Sequence, residues 1–393
     1  MVVSMNPQRN PFKATLGATP PLLVGRDDVV ENFGHALDDG PGAHERVSLV
    51  VGPRGVGKTV LLNAFDDEAA AKRGWTVINE TATTGFVQRI RNQIVRILAQ
   101  NKTRVRGVQL TILGIGGGMN WESAVLDNPT YTLREALKDL FAYQREEDRR
   151  VGQPPTGVLI TLDEMHHQRS EEIVEFGATI QHLVREGEEI AVAMAGIPSA
   201  IKPLLADKET ANPVTFLRRA ERIELDRVSD AAVAEALGFP LTDMGIAWDK
   251  EALAIAVKAC RGYPFMIQLV GQYSFRRREG NRITVAAAQS GVEMAQRKLG
   301  QLVHEPALSD LSEVDRTFLV RMAQDDGPSK TSEIAERMEV SPSYAWNYRR
   351  RLLDAEMIVE TSPGEIDFSL PYLREYLREH AAALMVKPLE QWL

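Results

Sequence analysis

The chain has 393 residues, 44% hydrophobic and 25% charged, with 46 Lys and Arg against 54 Asp and Glu and a net charge of −8. These values exclude a disordered polymer and a uniformly basic nucleic-acid coat, and they leave room for two or three domains of roughly 150 residues. The single cysteine, Cys260, excludes an intrachain disulfide and a cysteine-rich zinc centre, which fits a reducing compartment.

Residues 1–21 read as an extended leader carrying Pro7, Pro11, Pro20 and Pro21. The leader has no apolar segment of the kind a secretory signal needs. No apolar run in the chain approaches the roughly 20 residues that cross a bilayer. A cytoplasmic protein without a membrane partner is expected. Asp27 to Leu37 has apolar residues near helical spacing, and Asp38 to Gly42 is a loop. Arg46 to Val51 is a short apolar run ending at glycine, the pattern of a buried strand.

Further strands are expected at Thr76–Asn79, Val158–Leu162 and Ile190–Ala195, with helices at Thr59–Arg73, Thr84–Gln100, Thr132–Asp148 and Ser170–Glu186. Strands alternating with helices predict a parallel, three-layer α/β sheet. Lys102 to Asn120 breaks this rhythm and reads as a hairpin-like insertion. From Ser229 the strands stop, and Ser229–Leu237, Lys250–Cys260, Phe265–Arg276 and Val285–Leu299 predict a small helical domain. His304-Glu305-Pro306 reads as a linker, and Leu308 to His380 as helices, a turn, a helix, two short strands and a last helix. The expected division is 1–21, 22–227, 228–303 and 304–393.

Gly52-Pro53-Arg54-Gly55-Val56-Gly57-Lys58-Thr59 fits the phosphate-loop pattern G-x-x-x-x-G-K-[ST]. Gly52, Gly55 and Gly57 let backbone N–H groups approach phosphate oxygens without a Cβ in the way. Lys58 supplies a point charge for the β and γ phosphates, and the Thr59 hydroxyl is a ligand for Mg²⁺. The helix that opens at Thr59 turns its positive end to the anion. The motif follows a strand and opens a helix, as its mechanism requires.

Val158 to Leu162 is an apolar strand that runs into Asp163-Glu164. At the C-terminal end of such a strand both carboxylates reach the phosphate crevice. Asp163 suits Mg²⁺, and Glu164 suits the polarising of an attacking water. His166-His167 read as exposed loop residues rather than metal ligands, and Gly114-x-Gly116 lacks the strand–helix context of a dinucleotide fingerprint.

With these motifs in place, the sequence resembles the AAA+-type P-loop ATPases, and more narrowly the archaeal-type, STAND-like ATPases and the origin-recognition initiators. The resemblance runs from about Pro21 to His380. It implies ATP and Mg²⁺ as cofactors, with an AAA+ sheet followed by a helical lid and a C-terminal winged helix-turn-helix. It places Leu22 to Asp27, including Val24, Gly25 and Arg26, against adenine, and it adds Val56 and Val60 to the nucleotide-binding set. It implies that Asn79, at the end of the second strand, restrains the catalytic Glu164. It implies that Phe216 to Leu225 carries an arginine finger acting on a neighbouring subunit, with Arg219 the best fit and Arg218 second. Gly262-Tyr263-Pro264 lacks the family's sensor arginine, and Gly196-Ile197-Pro198 lacks a sensor Asn or Thr. These departures favour the STAND-like branch and speak against fast, autonomous turnover.

In the C-terminal module, Thr331–Met338, the turn Glu339–Pro342 and Ser343–Leu353 have the layout of a helix-turn-helix, with Met357–Glu360 and Glu365–Phe368 as its wing. Ser341, Ser343, Asn347, Arg349 and Arg350 are candidate contacts to phosphates or base edges. Lys102, Arg104 and Arg106 read as a solvated face, with a second DNA contact as the alternative. Yet residues 306–393 hold 10 basic and 16 acidic side chains, against 36 and 38 in the rest. Glu360, Glu365 and Asp367 on the wing repel a phosphate backbone. Three readings stay open. One is an ATP-driven switch, in which nucleotide between core and lid sets homo-oligomerisation and DNA binding. Another is a scaffold whose winged helix binds protein. The third is a nucleotide-responsive transcription regulator with negligible hydrolysis.

Overall fold

The computed structural model describes residues 9–15, 19–101, 130–165, 171–197 and 215–384. The insertion at 102–120, His166-His167 and the basic residues Lys102, Arg104 and Arg106 lie outside them. The chain forms two compact units, one of residues 26–52 and 58–225, the other of 1–25, 53–57 and 226–393. The first is thus inserted into the second in chain order.

The inserted unit runs α1 (Asp27–Asp39), β1 (Val47–Val51), α2 (Lys58–Arg73), β2 (Thr76–Thr81), α3 (Phe86–Asn101), α4 (Leu133–Val151), β3 (Val158–Asp163), α5 (Glu171–Arg185), β4 (Ile190–Gly196), α6 (Thr215–Arg218) and β5 (Glu221–Glu224). Its sheet is parallel throughout, in the order β2-β3-β4-β1-β5. The three inner strands are nearly continuous apolar runs because helices cover both faces. Alternation within β4 sorts the layers. Ile190, Val192 and Met194 join the core under α3, α4 and α5. The small Ala191, Ala193 and Ala195 line the opposite face, and α2 packs against β4. The stacked rings of Phe33 and Phe65, 4.0 Å apart, fasten α1 to α2.

The strand at Glu221–Glu224 is not legible in the sequence. It is an edge strand whose residues alternate between exposed and half-buried, so it lacks a buried-strand signature. The second strand also runs past Asn79 to Thr81, which leaves Asn79 two residues short of its end. Arg46 is a buried cation with three hydrogen-bond partners. Its guanidinium donates to the Ala36 and Leu37 carbonyls and pairs with Glu189 at 2.7 Å. It neutralises the carbonyl end of α1 and ties that end to the sheet.

The second unit runs α7 (Asp230–Thr242), β6 (Ala247–Trp248), α8 (Lys250–Cys260), α9 (Pro264–Arg276), β7 (Arg282–Ile283), α10 (Val285–Leu299), α11 (Glu305–Ser309), α12 (Glu313–Met322), β8 (Ser329–Lys330), α13 (Thr331–Arg337), α14 (Pro342–Asp354), β9 (Ile358–Ser362), β10 (Glu365–Phe368) and α15 (Leu373–Leu384). The expected linker at 304–306 is helical. A π turn over Gly300–His304 joins α10 to α11, and His304 is buried with Nε2 on the Pro371 carbonyl. Strands β8, β10 and β9 form an antiparallel sheet in that order, with α12 to α15 around one apolar core.

The leader is packed rather than loose where it is described. Phe12 is 2% exposed and sits so close to Gly271 of α9 that an added Cβ would lie 2.4 Å from its ring. Asn10 donates to the Gln272 carbonyl, and the Lys13 amide donates to the Gln268 side chain. A proline-bearing polar leader hides this in sequence, because a single Phe makes no periodic pattern.

Candidate nucleotide site

The phosphate loop leaves the C-terminal end of β1 at Gly52 and enters α2 at Lys58. Gly55 and Gly57 both take the left-handed backbone, with φ of 77° and 98°. Only glycine adopts it cheaply, so the spacing of the motif is a backbone requirement. Lys58 Nζ donates to the Gly52 carbonyl at 2.6 Å, which draws the ammonium back across the mouth of the loop. Val56 is buried, while Val60 is half-buried on the first turn of α2.

Thr59 and Asp163, 104 residues apart, meet directly. The threonine hydroxyl donates to Asp163 Oδ2 at 2.5 Å, and Asp163 Oδ1 accepts the Glu164 amide at 2.8 Å. A hydroxyl and a carboxylate side by side are hard oxygen donors, the set that suits Mg²⁺ when phosphates and water complete its shell. Among the described residues no group of three or more His, Cys, Asp or Glu is placed to hold a metal ion. A cation here would take the rest of its ligands from nucleotide oxygens and water.

Glu164 is the first residue beyond β3, exposed, and has φ of 62°. The chain is pinned on either side of it. The Asp163 carbonyl accepts the Ala82 amide, and the buried Met165 donates its amide to the Ala195 carbonyl. Glu164 is turned outward between two fixed points, in a conformation that costs a non-glycine residue about 1–3 kcal/mol. Strain at a strand end makes Glu164 a candidate functional residue.

Asn79 accepts a hydrogen bond of 3.0 Å from the Thr161 hydroxyl and lies level with Thr161 in the β2–β3 register. It is Thr81 that lies level with Asp163. Asp66, two turns after Thr59 on α2, joins this group. Burial pushes its carboxyl up to about 6, against the pull of hydrogen bonds with Asn79 and Thr161. Thr59 and Asp66 share one face of α2, and Thr161 and Asp163 one face of β3. The result is a polar seam leading from Asp163 inward. Sequence reasoning missed Asp66. The available signal was a carboxylate seven residues after Thr59 beside the buried Leu62, Phe65 and Ala69.

Val24 is buried and Gly25, with φ of 67°, lies against Val228. Arg26 caps the start of α1. Arg219 is exposed between α6 and β5 and meets no carboxylate among the described residues. Residue 221 pairs with Ser48 and residue 224 with Val51, so Arg219 sits beyond the N-terminal edge of the sheet. Five strand residues, about 17 Å, separate it from the level of the phosphate loop.

On α14, Ser343, Asn347 and Arg350 face solvent and Ser341 caps the helix. Arg349 is buried, stacks on Trp346 and pairs with Glu360 at 2.8 Å. Arg351 pairs with Asp315 and lies over Tyr348. Of the three consecutive arginines, only Arg350 meets no carboxylate among the described residues. Trp346 is 51% exposed.

Residues 22–192 match the family described as the AAA ATPase domain, and residues 301–377 match a domain of unknown function, DUF8462. No curated protein matches the sequence. Among solved structures, the Walker-type ATPase PABY2304 of Pyrococcus abyssi superposes with a TM-score of 0.65 at 15% identity, covering 91% of this chain and 96% of that one. Cdc6p from Pyrobaculum aerophilum reaches 0.47 at 14% identity, covering 95% and 97%. RuvB from Thermotoga maritima reaches 0.43 at 16%, covering 90% and 95%. At these identities the P. abyssi likeness establishes the fold.

Proposed function

Because residues 22–192 carry an AAA ATPase domain, we propose that this protein binds ATP with Mg²⁺, hydrolyses it slowly, and acts as a switch whose nucleotide state controls self-assembly and DNA binding. The observation that carries the reading is the Thr59–Asp163 hydrogen bond. It joins the first turn of the phosphate-loop helix to the acidic end of β3. Mg²⁺, when bound, supplies charge neutralisation on the phosphates. Thr59 and Asp163 would hold it, Lys58 would balance the β and γ phosphates, and the outward Glu164 would orient and polarise water. Asn79 would restrain Glu164 from β2, and Val24, Gly25 and Arg26 would meet the base.

Arg219 would act on a neighbouring subunit. Its exposure and its place at the far edge of the sheet support a role in trans. Turnover per subunit is then expected to rise with protein concentration, and Arg219→Ala to remove the rise. A concentration dependence unchanged in Arg219→Ala would show the finger to be elsewhere.

We read α12 to α15 with β8–β10 as a winged helix that places Ser343, Asn347 and Arg350 on DNA. With Arg349 and Arg351 committed to Glu360 and Asp315, few phosphates are neutralised. The slope of log affinity against log salt is therefore expected to be about −1 to −2. Fluorescence anisotropy with duplex DNA, with and without ATP·Mg²⁺, at several salt concentrations, tests this. ATP-dependent binding with that slope supports the switch. Absence of binding in every state supports the second reading, a STAND-like scaffold whose module docks on protein. The paired arginines and the exposed Trp346 favour that alternative.

A further inference from the structure

The tip of the phosphate loop is held by Tyr263, from the segment that lacks the expected sensor arginine. Tyr263 is 2% exposed, and its hydroxyl donates to the Arg54 carbonyl at 2.8 Å. Gly55 passes so close that a Cβ there would lie 1.9 Å from the phenol oxygen. The ring is itself fixed. Tyr263 caps α9, its amide donates to the Cys260 carbonyl, and the preceding Gly262 carbonyl accepts the Val228 amide. The Arg54 guanidinium reaches Asp310 at 3.8 Å, so the loop residue is engaged through its side chain as well. Burial pushes the phenol upward, which keeps it a proton donor across the ordinary pH range.

The consequence lies in one peptide plane. In a trans peptide the carbonyl of one residue and the N–H of the next point in opposite directions. Holding the Arg54 carbonyl on the phenol therefore turns the Gly55 N–H to the opposite side. Gly55 tolerates either orientation of this peptide, since it has no Cβ to oppose a flip. An unpinned peptide would divide its time between a donor and an acceptor turned toward an incoming phosphate.

We propose that Tyr263 is a positioning residue for nucleotide binding: its hydroxyl presets the Arg54–Gly55 peptide so that the Gly55 N–H is available to phosphate. This rests on the reading of residues 52–59 as a nucleotide phosphate loop. The test uses the full chain, a fluorescent ADP analogue with Mg²⁺, and the variant Tyr263→Phe, which removes one oxygen. One net hydrogen bond predicts a rise in Kd of about three- to tenfold. Competition by inorganic tripolyphosphate should weaken by the same factor, while competition by adenosine stays at the wild-type value and the nucleotide-free Tm falls by only about 2–4 °C, the loss of one hydrogen bond. A wild-type Kd in Tyr263→Phe overturns the proposal. So does an equal loss for adenosine, which would make the ring a packing element only. A wild-type chain that binds no nucleotide at all would instead overturn the ATPase reading.

Trypsin gives a test that needs no variant. The pinned Arg54–Gly55 bond should resist cleavage in the nucleotide-free protein, because a protease needs the segment open. Cleavage there at the rate of an unrestrained loop contradicts the preset peptide.

Discussion

Lys58→Ala is expected to raise the Kd for ATP by about 100-fold or more, with the fold intact. The ammonium bonds the Gly52 carbonyl across the loop, so a cation waits where phosphate charge would arrive. Charge-assisted hydrogen bonds are about twice as strong as neutral ones. Alanine leaves that charge unmet, while the N-terminal end of α2 loses only a half-buried side chain. Titration calorimetry with ATP·Mg²⁺, together with a nucleotide-free melting curve, checks both halves. Near-wild-type affinity in a folded Lys58→Ala protein would remove the phosphate loop from the account of this chain.

Glu164→Gln is expected to leave ATP affinity near wild type and to lower turnover by about 10²–10⁴-fold, the range of a general base. The amide fills the same space but cannot take the proton of the attacking water. Retained turnover would sink the assignment. A companion variant separates chemistry from conformation. Glu164 holds φ of 62° between two pinned neighbours. Glu164→Gly should therefore abolish turnover while raising folding stability by about 0.5–1 kcal/mol, through relief of the left-handed strain. Chemical denaturation measures the gain. A loss of stability would show that Glu164 is held by contacts worth more than the strain.

The parts of the site that could be read from the chain are those in which function sits on consecutive residues. Gly52 to Thr59 and Asp163-Glu164 each carry their meaning locally, through backbone freedom or the end of an apolar strand. Asp66 and Tyr263 make their contacts across 95 and 209 residues, through the packing of α2 on the sheet and of Tyr263 on Arg54. Nothing adjacent in sequence distinguishes Tyr263 from any aromatic residue that opens a helix. The edge strand β5 escaped for a different reason. Its charged residues suit half-exposed faces, so the apolar signal that reveals β1, β3 and β4 is missing. The helical join at 300–309 was hidden by Pro306, which reads as a break but is tolerated in the first turn of α11.

The contact between the leader and α9 also orders events during synthesis. Asn10 bonds a residue 262 positions later in the chain. A ribosome moving at about 5–20 residues per second needs roughly 13–50 s to make that partner. The inserted unit, residues 26–52 and 58–225, can assemble in the meantime. Phe12 must therefore wait through that interval for Gly271, its partner on α9. Its docking marks the arrival of α9, before α10 to α15 are made.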